Sequence, residues 1–396
     1  MLLFGAKSQK KSYLNIHKMD RDCIAALGDL SFHQIQNKNS CENVFDSVRK
    51  HWDGCELTIG NLETPLVREG QGVAGKCILA SDPKWMKFLY DAGVMLVSLA
   101  NNHIMDYGPE GLYDTIRVLE EVGIEYVGAG GDVTKAEASL YVDLNGRKVA
   151  FLARSAVVVS SPCYAGKEKA GVAYLDLSKT KDMIRDCKKH ADKVVLLLHW
   201  GIEHYFYPSP AQRRLAGELI GAGADLIIGH HPHVLQGIER IGDGLVCYSL
   251  GNFLFDDVEW SFLDQDGQSK DRVIRLSEEN RKGGILKVAF SENGVESYEF
   301  IPTHIEPDGT VRVENTIERQ REFSRLSSRL YWPAYSLLWQ LYSLRQEWKL
   351  RLKPMTIGRF KWANLKKVRP KHFREFWEGL RRSGKITSER STNPYE

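Results

Sequence analysis

The sequence predicts an α/β fold, a sheet whose faces are covered by helices. Three observations predict it. Short apolar runs recur through the first three-quarters of the chain, amphipathic segments of helix length separate several of them, and proline or serine opens those segments. A chain of 396 residues, 43% of them apolar, suits one large core plus an appendage.

In chain order, strands are expected at 23–27, 56–59, 94–100, 149–153, 194–198, 226–228 and 245–248. Helices are expected at 83–92, 109–122, 178–190 and 210–221. Residues 284–290 and 295–302, joined by Ser291-Glu292-Asn293-Gly294, read as a closing hairpin. The polar stretch 261–280 reads as a surface excursion or lid. Near 317 the composition changes: "RLYWPAYSLLWQLYSLRQEWKLRLKP" and "RPKHFREFWEGLRRSGK" are helical and rich in Trp, Tyr, Leu and Arg. The chain therefore divides into an N-terminal extension (1–21), an α/β body (22–317) and a basic, aromatic-rich helical region (318–396), whose last ten residues read as frayed.

Seven scattered cysteines form no Cys-x-x-Cys pair, which argues for reduced thiols used as small core residues. The N-terminus turns basic after a very short apolar start, the wrong order for a signal peptide, and no window has the length of a membrane span. The expected location is cytoplasmic. The net charge of +3 conceals an asymmetry: residues 318–396 carry 19 Lys+Arg and 7 Asp+Glu, the rest 35 and 44. A basic tail on an acidic body can meet an anionic membrane, a nucleic acid or the body itself.

The polar residues cluster at strand ends. Asp29 follows "CIAALG"; Asn61 and Glu63 follow "ELTIG"; Asn101, Asn102 and His103 follow "VMLVSLA"; His199 follows "KVVLLL"; His230, His231 and His233 follow "ADLIIG". In open α/β sheets the carboxyl ends of strands form the binding crevice. Taken singly, Asp29 reads as a helix cap, the asparagines as turn formers and His199 as a core histidine. Taken in order, they supply the hard oxygens and neutral imidazoles that a pair of divalent ions needs. A bridging carboxylate would offset the repulsion between two cations roughly 3.5–4 Å apart. In an extended segment, His231 and His233 around Pro232 would face one side and reach one metal cluster. His33 and His204 are weaker second choices.

This order resembles the calcineurin-like metallophosphoesterase superfamily and, more closely, the CapA family associated with bacterial poly-γ-glutamate capsule synthesis. The stretches that carry the likeness are "GDLSF" (28–32), "GNLETPL" (60–66), "ANNHIMDYGPEGL" (100–112), "LLHWGIEHY" (197–205), "PAQRRLAGELIGAGADLIIGHHPHVLQGIE" (210–239) and "YSLGNFLFDD" (248–257). The resemblance implies a metallophosphoesterase-like β-sandwich flanked by helices, with two divalent ions, Mn, Fe or Zn, at one rim. It implies that Asp29 and His233 hold the first ion, that Asn102, His199 and His231 hold the second, and that Glu63 bridges or shares them, with Asn61 competing for that place. His103 would stabilise or protonate the leaving oxygen. Where the superfamily usually has Asp-x-His, this chain has Asp29-Leu30-Ser31, and Gly60-Asn61-Leu62-Glu63 replaces the usual Gly-Asp of the second motif; the CapA family shares both changes.

Two functions follow. One is a metal-dependent hydrolase, most naturally of phosphoesters, linked to capsule or cell-wall polymer synthesis. The other is a non-catalytic accessory protein that binds an anionic polymer during synthesis or export. Trp200, Glu203 and Asn252, with Asn61 and Asn101, are candidate pocket residues, against the alternatives that Trp200 packs and Gly251-Asn252 is a plain turn. For the tail, a helix pair docking its aromatic face on the body is favoured over peripheral contact with the inner membrane face. No specific nucleic-acid partner is expected.

Overall fold

The computed structural model describes residues 13–15, 23–33, 44–73, 76–157, 163–263 and 269–348. Most of the N-terminal extension, Cys41, the helical reading of 369–385, Trp362, Trp377 and the frayed end lie outside the described residues. Two sheets stack face to face. One runs, in spatial order, Val311–Val313, Gly294–Ile305, Lys282–Ser291, Cys23–Leu30, Leu57–Leu62, Val94–Ser98 and Glu125–Val127, with Asn252–Leu254 added beside Cys23–Leu30. The other runs Tyr13–Asn15, Leu140–Leu144, Arg147–Ser155, Lys193–His199, Leu226–His230, Gly244–Cys247 and Ile238–Ile241. Both centres are parallel. Parallel strands are covered on both faces, which is why Cys23–Leu30, Leu57–Leu62 and Lys193–His199 are buried at every position.

Alternation sorts their side chains into layers. Val195, Leu197, Leu226 and Ile228 meet Ile24, Ala26, Leu57 and Ile59 between the sheets. Val194, Leu196, Leu198 and Ile227 face outward, under the helices Leu177–Lys188 and Pro210–Gly221. Trp85–Asp91 and Gly108–Val122 cover the other sheet through Trp85, Met86, Leu89 and Leu112. The result is the helix-flanked sandwich implied by the resemblance. Local signals set the helix ends. Ser209 and Gln212 close a capping box at Pro210, and Gly123, at φ 89°, stops Gly108–Val122.

Two regions add detail to the expectation. In the stretch 261–280, read as a surface excursion or lid, the described residues form part of an antiparallel ribbon, Val258–Leu263 paired with Ser269–Ile274, with Val273 and Ile274 exposed. The compositional change near 318 coincides with a helix start and not with a gap in packing. Ile317–Leu330, capped by Thr316, stacks Phe323 on Phe300 with ring centroids 3.5 Å apart. It lies so close to Gly237 that a Cβ there would fall 2.7 Å from the Leu326 carbonyl oxygen. Tyr335–Glu347 then docks Tyr335 and Trp339 on the outer layer.

Candidate metal centre

The carboxyl ends of both parallel centres meet at one rim. Parity explains which side chains gather there: Asn61 and Glu63 continue the inner face of Leu57 and Ile59, and His199 continues that of Val195 and Leu197. Asp29 arrives at the end of Cys23–Leu30. Gly28 lets the 249–254 segment run alongside, since a Cβ at Gly28 would lie 2.1 Å from the Gly251 carbonyl oxygen. That close passage puts Asn252 in register with Asp29.

Asp29, Glu63 and His199 form one group of potential ligands; Glu63, His231 and His233 form another. Within each group the donor atoms lie within 4.8 Å of one another, and Glu63 belongs to both. The division differs from the allocation implied by resemblance, although Asp29 Oδ2 still lies 3.5 Å from His233 Nδ1 and the His199 and His231 rings are 4.8 Å apart. Glu63 Oε1 stands 3.7 Å from His199 Nε2 and 3.5 Å from His233 Nε2. Asn102 Oδ1 approaches His199 Nε2 at 2.7 Å, which adds an amide oxygen to the same cluster.

The expected extended His-x-His does not form. His231 and His233 both have positive φ, 95° and 54°. The chain turns too tightly around Pro232 for the i, i+2 geometry of a strand, and the two rings converge on Glu63 from a left-handed turn instead. Such backbone costs about 1–3 kcal/mol per residue and persists only where its surroundings impose it.

The remaining polar groups orient these ligands. Asn61 Nδ2 donates to Asp29 Oδ1 at 2.9 Å, and lies 3.4 Å from both Glu63 Oε2 and His199 Nδ1. Asn61 therefore braces Asp29, Glu63 and His199. His233 Nδ1 donates to Asn252 Oδ1 at 2.9 Å, which turns Nε2 toward Glu63. Asn252 is thus neither a plain turn residue nor a pocket wall. Asn101 is fully buried: it accepts the backbone N–H groups of His103 and Ile104 and donates to the Leu62 carbonyl, so it builds the turn and does not line a pocket. Trp200 is also corrected. Adjacent to His199 on the chain, it points to the opposite face, stacks on Tyr248 and donates to its carbonyl at 3.1 Å. Glu203 is exposed at the mouth. Although its surface is exposed, the cleft takes some water from its carboxyl, which raises it, and the imidazoles of His231 and His233 together outweigh this and hold it below the ordinary range.

His103 belongs to neither ligand group. Its Nδ1 donates to Asp106 Oδ2 at 2.8 Å. Asp106 also accepts from the Leu79 N–H and pairs with Lys76, whose ammonium reaches the Asn102 carbonyl. Asp106, Lys76 and Asn280, which donates to the His233 carbonyl and lies 3.0 Å from His204 Nδ1, escaped the sequence reading. His33 Nδ1 faces the Ala80 carbonyl, away from both groups.

Electrostatics and unmet hydrogen bonds test whether these residues fit a metal. Burial, then the charges of Asp29 and Glu203, push the Glu63 carboxyl well above the usual range. Burial holds His199 far below the ordinary imidazole value, and takes His231 down to about 3. Neutral imidazole is the form that ligates. Glu63 Oε1 and His231 Nδ1 are buried with no hydrogen-bond partner. Each such atom costs about 1–3 kcal/mol unless something satisfies it. A divalent cation between carboxylate and imidazole satisfies both, and the donor set suits it.

Comparison with known proteins agrees with the motif order. Residues 23–257, more than half the chain, match the family model "Bacterial capsule synthesis protein PGA_cap". The capsule biosynthesis protein CapA of Bacillus anthracis is 32% identical over 305 residues, covering 74% of this chain and 69% of the relative. The PGA biosynthesis protein CapA of Bacillus subtilis is 36% identical, covering 56% and 59%. Among solved structures, a putative 5′-nucleotidase from Staphylococcus aureus superposes loosely, with a TM-score of 0.44 and 15% identity over 77% of this chain and 58% of that one. On the span and identity of these sequence matches, this chain belongs to the bacterial capsule synthesis family PGA_cap.

Proposed function

We propose that the protein is a metal-dependent hydrolase acting in the synthesis or processing of an anionic capsule or cell-wall polymer, with a phosphoester as the most natural scissile group. The observation that carries this reading is Glu63, shared by two ligand groups and left with an unpartnered buried oxygen. Asp29, Glu63, His199, His231 and His233, with the Asn102 amide oxygen, would hold two divalent ions. When bound, such ions supply Lewis acidity, making water a better nucleophile at neutral pH and drawing charge from a phosphoryl group. The chain's own residues do the rest. Asn61 and Asn252 fix Asp29 and His233. Burial lowers the His103 imidazole and Asp106, bonded to Nδ1, opposes this by favouring the protonated ring; in that doubly protonated form Nε2 carries the proton that a leaving oxygen would take. Lys76 and the Leu79 N–H keep Asp106 in place.

A second reading, an accessory protein that binds the polymer without cleaving it, is favoured by one feature. Ser31 stands fully buried where the superfamily motif has an imidazole, so the site has one fewer nitrogen ligand. A relative of 28% identity from Mycobacterium tuberculosis is named a probable polyglutamine synthesis accessory protein. Metal-loaded protein incubated with aryl phosphomonoesters and diesters separates the two. Turnover lost in Asp29→Ala, His199→Ala and His231→Ala supports the hydrolase; stoichiometric metal without turnover supports the accessory role.

A further inference from the structure

The helix Tyr335–Glu347 is apolar on two opposite faces. Tyr335 and Trp339 are buried against the body, with Leu338 and Tyr342 packed beside them. Leu337, Leu341, Leu344 and Trp348 follow at i, i+4, i+7 and i+11, a stripe about 60° wide at 100° per residue. The stripe points directly away from the docked face, and its members are 50–62% exposed. Tyr331 and Trp332, in the turn before the helix, are also exposed, at 58% and 57%. A helix that needs only one apolar face to dock has no structural use for the second, and a patch of this kind marks an interaction surface.

Charge identifies the occupant. Arg345 flanks the stripe, and residues 349–385, which follow directly, carry 13 Lys+Arg against 2 Asp+Glu. A second copy would bring two such basic runs together, and the stripe is under two heptads long, short for a coiled coil. An anionic lipid surface attracts the basic run and takes up leucines, with tryptophans at the level of the headgroups. We propose that Tyr335–Glu347 lies on an anionic membrane surface with Leu337, Leu341, Leu344 and Trp348 immersed.

This contact connects to the metal centre. The segment after His199 is strapped to the inner face of the same helix. The Phe206 N–H donates to Tyr342 Oη at 2.9 Å, Tyr335 Oη donates to the Pro208 carbonyl at 2.7 Å, and Trp339 Nε1 donates to the Tyr207 carbonyl at 3.3 Å. That segment also carries Glu203 and His204 at the mouth. The helix is therefore tied by hydrogen bonds to the segment that leads from the metal centre.

Membrane docking stands or falls independently of turnover. The full chain is sedimented with vesicles of phosphatidylcholine and of phosphatidylcholine mixed with phosphatidylglycerol, beside the Leu341→Asp/Leu344→Asp variant. Binding to the mixed vesicles is expected to exceed binding to phosphatidylcholine alone. The variant is expected to bind at least ~10-fold more weakly, with unchanged circular dichroism and metal content, because two leucines no longer leave water. Absence of wild-type binding overturns the proposal, as does equal binding by the variant. Loss of a dimer in the variant, with no vesicle binding by either protein, makes a second copy the occupant and overturns it too.

Discussion

The rim of the sandwich and the outer face of Tyr335–Glu347 depart from ordinary packing in opposite directions. At the rim, polar atoms are buried without partners: Glu63 Oε1 and His231 Nδ1 lie in a cluster of carboxylate and imidazole groups held mainly by amides. On the helix, leucine and tryptophan side chains are more than half exposed or nearly so, with no partner among the described residues. Exposed single apolar residues are commonplace; buried polar atoms and contiguous apolar stripes are not. Each departure costs the isolated chain free energy, and each is relieved by one kind of ligand, cations in the first case and a hydrocarbon surface in the second. The chemistry of a missing partner can thus be read from the sign of the mismatch.

Several variants break or sharpen this contrast. His103 lies beside the rim cluster but outside both ligand groups, so His103→Ala should lower turnover by about 10²–10⁴-fold while metal content stays at the wild-type level. Metal loss in the same variant would place His103 among the ligands. The two faces of one helix should differ sharply in stability. Trp339→Ala, on the docked face, should cost about 3–5 kcal/mol in urea unfolding, whereas Leu341→Ser, on the outer face, should stay within about 0.5 kcal/mol. Similar costs at both positions would mean that the stripe is already covered. Asn252 orients the ligand His233 and belongs to neither ligand group, so Asn252→Ala should weaken metal affinity by about 10–100-fold without unfolding the protein.

A further effect is in pH. His199 and His231 are depressed by burial, His231 to about 3. In metal-free protein the unfolded chain therefore binds more protons than the folded one between an ordinary imidazole value of about 6.5 and about 3. Stability should fall on acidification through that window, by roughly 1 kcal/mol per pH unit for each such histidine. Bound metal should delay the fall, because protons must then displace it. The raised Glu63 carboxyl takes up a proton in the folded chain first and opposes this fall, so the measurement is made on metal-free Glu63→Gln protein, where stability that stays flat or rises as the pH drops would show that the imidazoles are not buried neutral.

Much of this was legible from apolar runs and what ends them. All seven expected strands are found, some of them a few residues longer than read, and Pro210–Gly221 begins and ends where its proline, serine and glycine place it. The metal-capable residues were legible because each follows a strand, and strand ends of parallel sheets converge. Trp200 was misplaced, although alternation opposes it to His199 and could have shown this. The left-handed turn at His231 and His233 was illegible, since non-glycine residues rarely adopt such backbone and no local signal announces it. Asp106 and Lys76 were missed for another reason. A charged residue in a loop reads as a solvated one, and only tertiary closure makes this pair a buried support for His103. Asn280 lay at the end of a stretch read as a lid, where polarity seemed explanation enough.

The measurement that bears most directly on the metal centre is elemental analysis of the purified full chain beside Glu63→Gln, each loaded with Mn, Fe or Zn and freed of excess. Two divalent ions per wild-type chain, falling to one or none in a Glu63→Gln protein with unchanged circular dichroism, is the expected result. A wild-type chain that retains no ion, or a variant that retains as many as the wild type, contradicts the assignment of Glu63 as the shared ligand.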